Sequence, residues 1–543
     1  MGSNSRQNGK HDPLTAEQVT LFARAWIQDK PMLEPNEQAT LEHHAQAWQR
    51  VASMPAEDRP ILAYDVLREA KISPADIARI TAISTTPAHL ARVADDPLIK
   101  ANRTDAGNAD CLAYRHGHDL RYCHTSRGWH VWDGTIWAPD RDQAAERHML
   151  ETIRARYHAA PNVAELETRQ KLAAWAIVSE STAKREAALR SAQALEQLAI
   201  TIERFDTAHM LATARNGITI NLATGTTYQA KREDLITKAL GAAHDPAAKC
   251  PRWIEHLGEV FGGDTEMIAF IKRAVGYCLT GDIREQKIFL LHGAGANGKS
   301  VTLSTLGKLL GDYAGTTPFE TFDAETREAR HDMAKLKGAR FVSVIETNED
   351  RKLNEARIKA ITGGDLVTGE AKYQMPFDYY PMYKVWLAMN HLPIIRGNDR
   401  GIWRRIFLIE FGKSFEGRED LTLDKTLEHE LPGILNWAIE GAREWITNGL
   451  KPPNSVLEAT NQYRRDMDLV GQWIEARTIE KQEAETEAAA AYQNYGQWCL
   501  ANGYRAETQG GFGRRMTERR ITKIKRSGKF YYQGIGLMAG QGA

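Results

Sequence analysis

Eight consecutive residues, Gly293-Ala294-Gly295-Ala296-Asn297-Gly298-Lys299-Ser300, hold the most specific chemistry in the sequence. Their spacing is that of a phosphate-binding P-loop, and they stand between an apolar strand-like run, KIFLLH, and a helical one, VTLSTLGKLLG. Glycines allow backbone N–H groups to curl around phosphate oxygens, and the start of the helix, with Val301, adds its partial positive charge. In such a site a lysine at position 299 is expected to reach the β- and γ-phosphates of ATP, and the Ser300 hydroxyl to ligate Mg²⁺.

Such a site also needs an acid at a strand end to help hold Mg²⁺ and orient water. Two strands end in one: FVSVI runs into Glu346, and IFLI into Glu410. Glu346 is the stronger candidate, because polar Thr347 and Asn348 follow it, whereas Glu410 runs on into Phe411. Glu349 is a second carboxylate on the same loop. A third strand, in VWLAMNHLP, delivers Asn390, whose amide could hold the attacking water or sense the γ-phosphate. Arg404 and Arg405 follow in DRGIWRR, and one of them could serve as an arginine finger in a neighbour's site.

The elements that must position these groups occupy the second half of a chain of 543 residues, long enough for several domains. Hydrophobic content of 42% with 26% charged residues is that of a globular protein and excludes a largely disordered one. No apolar run approaches 18 residues, so neither a membrane span nor a secretory signal is expected. Five scattered cysteines, Cys111, Cys123, Cys250, Cys278 and Cys499, read as reduced thiols of a cytoplasmic protein. The stretch from Lys287 to Phe411 alternates buried-type strands (KIFLLH, RFVSVI, YKVWLAM, RRIFLIEF) with helices, the pattern of a parallel sheet. Upstream, GWHVWDGTIW and NGITINLATGTTY read as hairpins turning at Asp133-Gly134, Asn216-Gly217 and Thr224-Gly225. Residues 142–202 read as helical, with a break at Pro161. Between residues 73 and 93, SPADIARITAISTTPAHLARV reads as a helical hairpin with some likeness to a helix-turn-helix.

Several ordered stretches together resemble one family. NGITINLATG, LITKALG, CPRWIEHLGEVFGGD, FIKRAVGYCLTGD, REQKIFLLHGAGANGKS, IETNEDRKLNEARIKAITGGD, WLAMNHLP and RGNDRGIWRR are similar to the helicase part of phage and plasmid primase-helicases. These are superfamily 3 helicases, a branch of the AAA+ ATPases. The resemblance implies an ATP- and Mg²⁺-dependent ring, usually a hexamer, that moves 3′ to 5′ along single-stranded DNA. Carried over by position, Lys299 and Ser300 match the Walker A pair, Glu346 the Walker B acid, Asn390 the sensor and Arg404 or Arg405 the trans-acting finger. The segment around Thr362-Gly363-Gly364-Asp365 precedes a channel hairpin in the family. Lys359 and Lys372 are its DNA-contact candidates.

The implied fold class is α/β, with a P-loop AAA+ core on a parallel sheet. The expected division is a flexible leader (1–13), a helical N-terminal domain (14–101), a mixed α/β domain (102–245) and a helical collar (246–282). The ATPase core (283–415), a helical segment (416–480) and a basic winged-helix-like domain (481–543) follow. Many relatives carry an N-terminal primase-polymerase domain; the roughly one hundred helical residues ahead of the shared region are too few for it, so priming is not expected in this chain.

Charge is concentrated near the C-terminus. Residues 505–530 hold nine Lys/Arg against two Glu, in a chain with no net charge. Arg514, Arg515, Arg519, Arg520, Lys523 and Lys525 are the candidates to contact DNA phosphates. Cys111, His116, His118, Cys123 and His124 lack the spacing of zinc ribbons or fingers and are read as fold residues. The function expected is a replicative DNA helicase of a phage, plasmid or mobile element, acting on single-stranded and forked DNA in a bacterial host's cytoplasm, with a separate primase or replication protein as a further partner. A DNA-binding initiator, or a regulatory or defence ATPase without processive unwinding, is the alternative.

Overall fold

The structure is a computed structural model that describes residues 96–163, 165–326, 329–346, 348–349, 351–370, 376–397 and 399–538. The helix-turn-helix-like segment and nearly all of the helical region expected at 14–101 lie outside the described residues. Two compact units form. One joins Gln143–Leu198 to the chain ending at Gly117; the other joins His118–Asp142 to everything from Ala199 onward. The region read from sequence as one mixed domain, 102–245, is therefore shared between two units.

The smaller unit is helical: Asp105–His116, Ala144–Ala159, Leu166–Ser179 and Thr182–Ala192. Pro161 lies in a short 3₁₀ turn that ends the second of these helices. Arg156, with no exposed surface, anchors the unit. Its guanidinium donates to the Ala101 carbonyl and the Asn108 side chain, each at 2.7 Å, and to the Leu98 carbonyl at 3.1 Å. A buried cation is tolerated only when its donors are matched by acceptors in this way.

In the larger unit, the Asp133-Gly134 hairpin pairs Gly128–Trp132 with Trp137–Pro139. The second sequence-predicted set forms three antiparallel strands, Leu211–Thr213, Ile218–Asn221 and Thr227–Gln229. The central sheet contains β1 (Ile288–His292), β2 (Ala314–Thr316), β3 (Phe341–Glu346), β4 (Lys384–Met389) and β5 (Ile406–Glu410), with helix α1 (Lys299–Leu310) after β1. Its order is β5-β1-β4-β3-β2, and every pairing is parallel. The four longer strands correspond to the four apolar runs; β2, only three residues long, carries no comparable signal.

Both faces of the sheet are covered, as parallel strands require. Phe289, Phe341, Trp386 and Phe407 fill one face, and Ile288, Leu290, Val342, Val344, Leu387 and Leu408 the other. Helix Thr265–Leu279 covers the aromatic face. Asp264 caps its start by accepting from the Met267 amide at 3.0 Å, and Phe270 meets Phe407 edge-on with ring centres 5.6 Å apart. Residues 478–537 form a smaller module: strand Thr478–Glu487, helices Ala488–Ala501 and Gln509–Glu518, then a hairpin of Lys523–Arg526 with Lys529–Leu537. Among the described residues no helix is long and apolar enough to cross a membrane.

Helix Thr265–Leu279 crosses helix Leu431–Asn448 at backbone contact. A Cβ on Gly276 would stand 2.0 Å from the Ala442 nitrogen, and one on Gly441 would stand 2.1 Å from the Lys272 carbonyl oxygen. Gly276→Ala forces the helices apart and is expected to cost about 3 kcal/mol, the upper end of overpacking penalties. Gly258→Ala, on helix Pro251–Val260 with no atom within 4 Å of the new methyl, is expected instead to stabilise by about 0.5–1 kcal/mol. Urea unfolding midpoints of the two variants check both signs.

Candidate functional site

The loop of residues 293–300, whose sequence follows the P-loop pattern, runs from the end of β1 into α1, and its neighbours leave little freedom in its path. A Cβ on Gly293 would meet the Phe411 carbonyl oxygen at 2.4 Å, and one on Gly298, at φ +85°, would meet the Val260 side chain at 2.7 Å. Asn297 is buried and joins the loop to the end of β5: its Nδ2 donates to the Phe411 carbonyl at 3.1 Å. Phe411 in turn donates its amide to the His292 carbonyl at 2.7 Å. Behind the loop, His256 meets the Thr302 hydroxyl at 3.1 Å. Burial pulls this imidazole down to about 4, so it packs in its neutral form.

Lys299 is the first residue of α1 and its side chain folds back over the loop. Nζ donates to the carbonyl oxygens of Gly293 at 2.6 Å and Ala294 at 3.1 Å, to Asn297 Oδ1 at 3.0 Å and to Asn390 Oδ1 at 3.3 Å. Burial draws its ammonium below the ordinary lysine value. The cation is thus held by weak neutral acceptors, which a polyphosphate would outcompete. Ala294, Gly295, Ala296 and Ser300 face solvent along the same loop, and Val301 is half-buried. The Ser300 hydroxyl stands at the second helical position, where it can face a cation bridging phosphates.

Asn390 follows β4, directly beside β1, which is why its amide reaches Lys299. Glu346 ends β3, one strand further along the same edge, about 10 Å from β1 at normal strand spacing. Its carboxylate is buried, accepting from the Asn348 amide at 2.8 Å and from Arg351 Nε at 3.0 Å. Arg351 also meets Asp323 at 3.2 Å and Glu320 at 2.5 Å, so one guanidinium binds three carboxylates. Glu349 is exposed and pairs with His391 at 3.3 Å. Glu410 ends β5, on the other side of β1 from Asn390 and Glu346, and is exposed. A solvent-facing loop around a buried ammonium, with an amide and an acid at the same sheet edge, would suit a nucleoside triphosphate with Mg²⁺: the ammonium and loop amides suit phosphate, and Ser300 with Glu346 offers oxygen ligands of the kind Mg²⁺ takes.

Arg404 and Arg405 behave differently from each other. Arg405 is buried, donating to the Thr362 hydroxyl at 2.9 Å and the Gly401 carbonyl at 2.6 Å. Arg404 is exposed and touches Gln286 at 2.7 Å. Both precede β5, so they lie at the opposite end of the strands from the P-loop, a full strand length of about 16 Å away. Neither reaches this chain's own loop.

The candidate DNA contacts divide in the same way. Lys359 is tied to Asp399 at 2.8 Å. Lys372 lies outside the described residues; the flanking strands, Val367–Gly369 and Phe377–Tyr379, pair antiparallel. Arg515 is mostly buried and pairs with Glu507 and Glu518, each at 3.2 Å, and Arg519 is bound to Asp468. Arg515 is thus tied within the C-terminal module, and Arg519 ties that module to Asp468 at the start of helix Leu469–Arg477, so both are engaged in ion pairs. Arg514, Arg520, Lys523 and Lys525 are exposed, and the Lys523 ammonium lies 4.6 Å from the centre of the Phe530 ring. Sequence reasoning missed Arg351, Asn297 as a link to β5, and His256: Asn297 and His256 act through partners distant in sequence, and Arg351 joins the nearby Glu346 to the distant Glu320 and Asp323, with only its acid-rich surroundings offering any signal.

Parts of this chain are similar in sequence to known proteins. Residues 109–262 match a family described as "D5 N terminal like", and residues 291–405 match a family of unknown function. The chain is 27% identical over 262 residues to "Putative helicase L207/L206" of Acanthamoeba polyphaga mimivirus, covering 44% of this chain and 27% of that protein. It is 26% identical over 255 residues to "Putative helicase 022R" of Frog virus 3, covering 43% and 26%. A "Putative primase C962R" of African swine fever virus is 25% identical over 244 residues, covering 40% and 25%. The matched region thus spans about a quarter of the length of these relatives. Among solved structures, the apo NrS-1 C-terminal region aligns with 13% identity and a TM-score of 0.37, covering 57% of this chain and 81% of that one. The family matches and the viral relatives support the resemblance that the motifs carry, to the phage and viral primase-helicase family.

Proposed function

We propose that the protein is an ATP-dependent DNA helicase of a phage, plasmid or mobile element, working as a ring, usually a hexamer, 3′ to 5′ along single-stranded DNA. The observation that carries this reading is the convergence of Lys299 and Asn390 on one loop, with Glu346 on the same sheet edge.

In this mechanism the Lys299 ammonium exchanges its loop carbonyls for the β- and γ-phosphates of ATP. Mg²⁺, held by Ser300 and Glu346 when bound, supplies charge neutralisation on the phosphates. Asn390, released from Lys299, orients a water whose oxygen attacks the γ-phosphorus as the bond to the β-phosphate oxygen breaks. Glu346, once Arg351 gives way, helps orient that water, and the water's proton passes to the oxygens of the departing phosphate. Arg404 of a second copy stabilises the charge on the transferring group; its exposure, against the burial of Arg405 on Thr362 and Gly401, supports this choice over Arg405. The exposed Arg514, Arg520, Lys523 and Lys525, on a module of winged-helix type, hold DNA phosphates.

Strand separation on forked duplexes with a 3′ or a 5′ tail tests the reading. Unwinding is expected only with the 3′ tail and only with ATP, and Lys299→Ala is expected to lower it at least 100-fold. Hydrolysis without strand separation would favour the initiator or regulatory ATPase instead. A mixing experiment tests the finger. Lys299→Ala and Arg404→Ala chains, each inactive alone, should recover about a quarter of the wild-type ATPase when mixed equally, because a quarter of random interfaces join an intact loop to an intact arginine. A mixture that stays inactive would rule out a shared site. Arg351→Ala is expected to raise DNA-independent hydrolysis about fivefold by freeing Glu346; lowered hydrolysis would mean that Arg351 holds the acid in its working position.

A further inference from the structure

The small helical unit contains a group of side chains with no part in the nucleotide site. His116 is the last residue of helix Asp105–His116, and His148 and Glu151 are three residues apart on helix Ala144–Ala159. That spacing puts the latter two on one face of their helix. The imidazoles of His116 and His148 stack with centres 4.3 Å apart and planes 27° from parallel. Glu151 Oε2 stands 3.2 Å from His148 Nδ1 and 3.9 Å from His116 Nε2. One ligand atom from each residue lies within 4.8 Å of the other two. Four ligands at about 2.1 Å around zinc stand about 3.4 Å apart, so the ligand atoms already lie near that separation, and closing the set requires the two imidazoles to turn out of their stack until both ring planes meet at the ion.

We propose that His116, His148 and Glu151 bind a zinc ion that staples the end of the first helix to the second, with water as the fourth ligand. Two imidazoles and a carboxylate suit zinc rather than magnesium or calcium, which take oxygen ligands. The last turn of a helix presents carbonyl oxygens and favours a cation beside it, which fits the position of His116. His116 and His148 are half-buried, whereas Glu151 is exposed and leaves the fourth position open to solvent. The other residues that could have suggested zinc are accounted for elsewhere. The buried Cys111 thiol donates to the Pro97 carbonyl at 3.6 Å, His118 pairs with Asp119 at 3.1 Å, and Cys123 and His124 belong to the larger unit.

Full-length protein stripped with a chelator and titrated with zinc sulfate against a chromophoric zinc indicator tests this site. One equivalent is expected to bind with a Kd below about 1 µM, and to raise the melting temperature by about 2 °C or more. Glu151→Gln, at an exposed position where folding is not at risk, should weaken binding at least tenfold. His148→Gln should abolish it, and His118→Gln should leave it unchanged. The proposal fails if wild-type protein takes up no stoichiometric zinc, or if Glu151→Gln and His148→Gln bind it as wild type does. Because the readout is metal binding and melting, it stands or falls independently of any helicase activity.

Discussion

Five strands running in one direction leave all their C-terminal ends on one edge of the sheet, and the candidate site depends on that. The P-loop, Asn390 and Glu346 come from segments about fifty residues apart, yet each leaves the carboxyl end of a strand. Strand order then sets their spacing. With β4 between β1 and β3, the amide stands beside the lysine and the acid stands about 10 Å from the loop's strand. Were β3 next to β1, Glu346 would crowd the Lys299 ammonium and form an ion pair with it. The inserted strand leaves room for the end of a polyphosphate and a water between cation and acid.

The sheet holds that order because both of its faces are dry. Phe289, Phe341, Trp386 and Phe407 interlock on one side, and helix Thr265–Leu279 closes over them. Trp386 Nε1 donates to Cys278 Sγ at 3.2 Å, so the one polar atom of the largest side chain in this face is satisfied. The close crossing at Gly276 and Gly441 brings Leu431–Asn448 down on the same helix, which fixes the collar by backbone contact instead of by long side chains. Buried Lys384 adds a polar tie: its Nζ donates to the Thr280 carbonyl at 2.5 Å, and burial pulls the group down to about 7.

The parts of this arrangement that can be read from sequence are those whose signal is contiguous. The eight-residue loop pattern and the apolar runs of β1, β3, β4 and β5 are contiguous signals, so Lys299 follows directly from the loop pattern, and Glu346 and Asn390 follow as residues at strand ends. The hairpins at Gly134, Gly217 and Gly225 are legible for the same reason, since each of these glycines adopts a positive φ that its turn requires. What escapes is set by tertiary partners. Nothing local distinguishes Arg515 and Arg519, which are spent on internal ion pairs, from Arg514 and Arg520, which face solvent. Arg351 reads as an ordinary loop arginine until Glu320 and Asp323 arrive from another segment. The division into two units escapes too, because 118–142 leaves the helices that flank it in sequence to join strands found beyond residue 199.

The same parallel geometry that assembles the loop, amide and acid keeps Arg404 away from them. An arginine that enters β5 at its amino end cannot reach the carboxyl edge without unfolding the strand. Arg405, one residue on, is held on Thr362 and Gly401, so it lends rigidity to the segment presenting its neighbour. On the proposed reading, a chain of this design has half of its catalytic charge on one edge and half on the other. On that reading one copy alone would not complete a site. Copies set side by side in the proposed ring would each offer an amino edge to the carboxyl edge of the next, and hydrolysis at a site would be coupled to the position of two subunits. Motion between subunits would then be specified by where the strands begin and end.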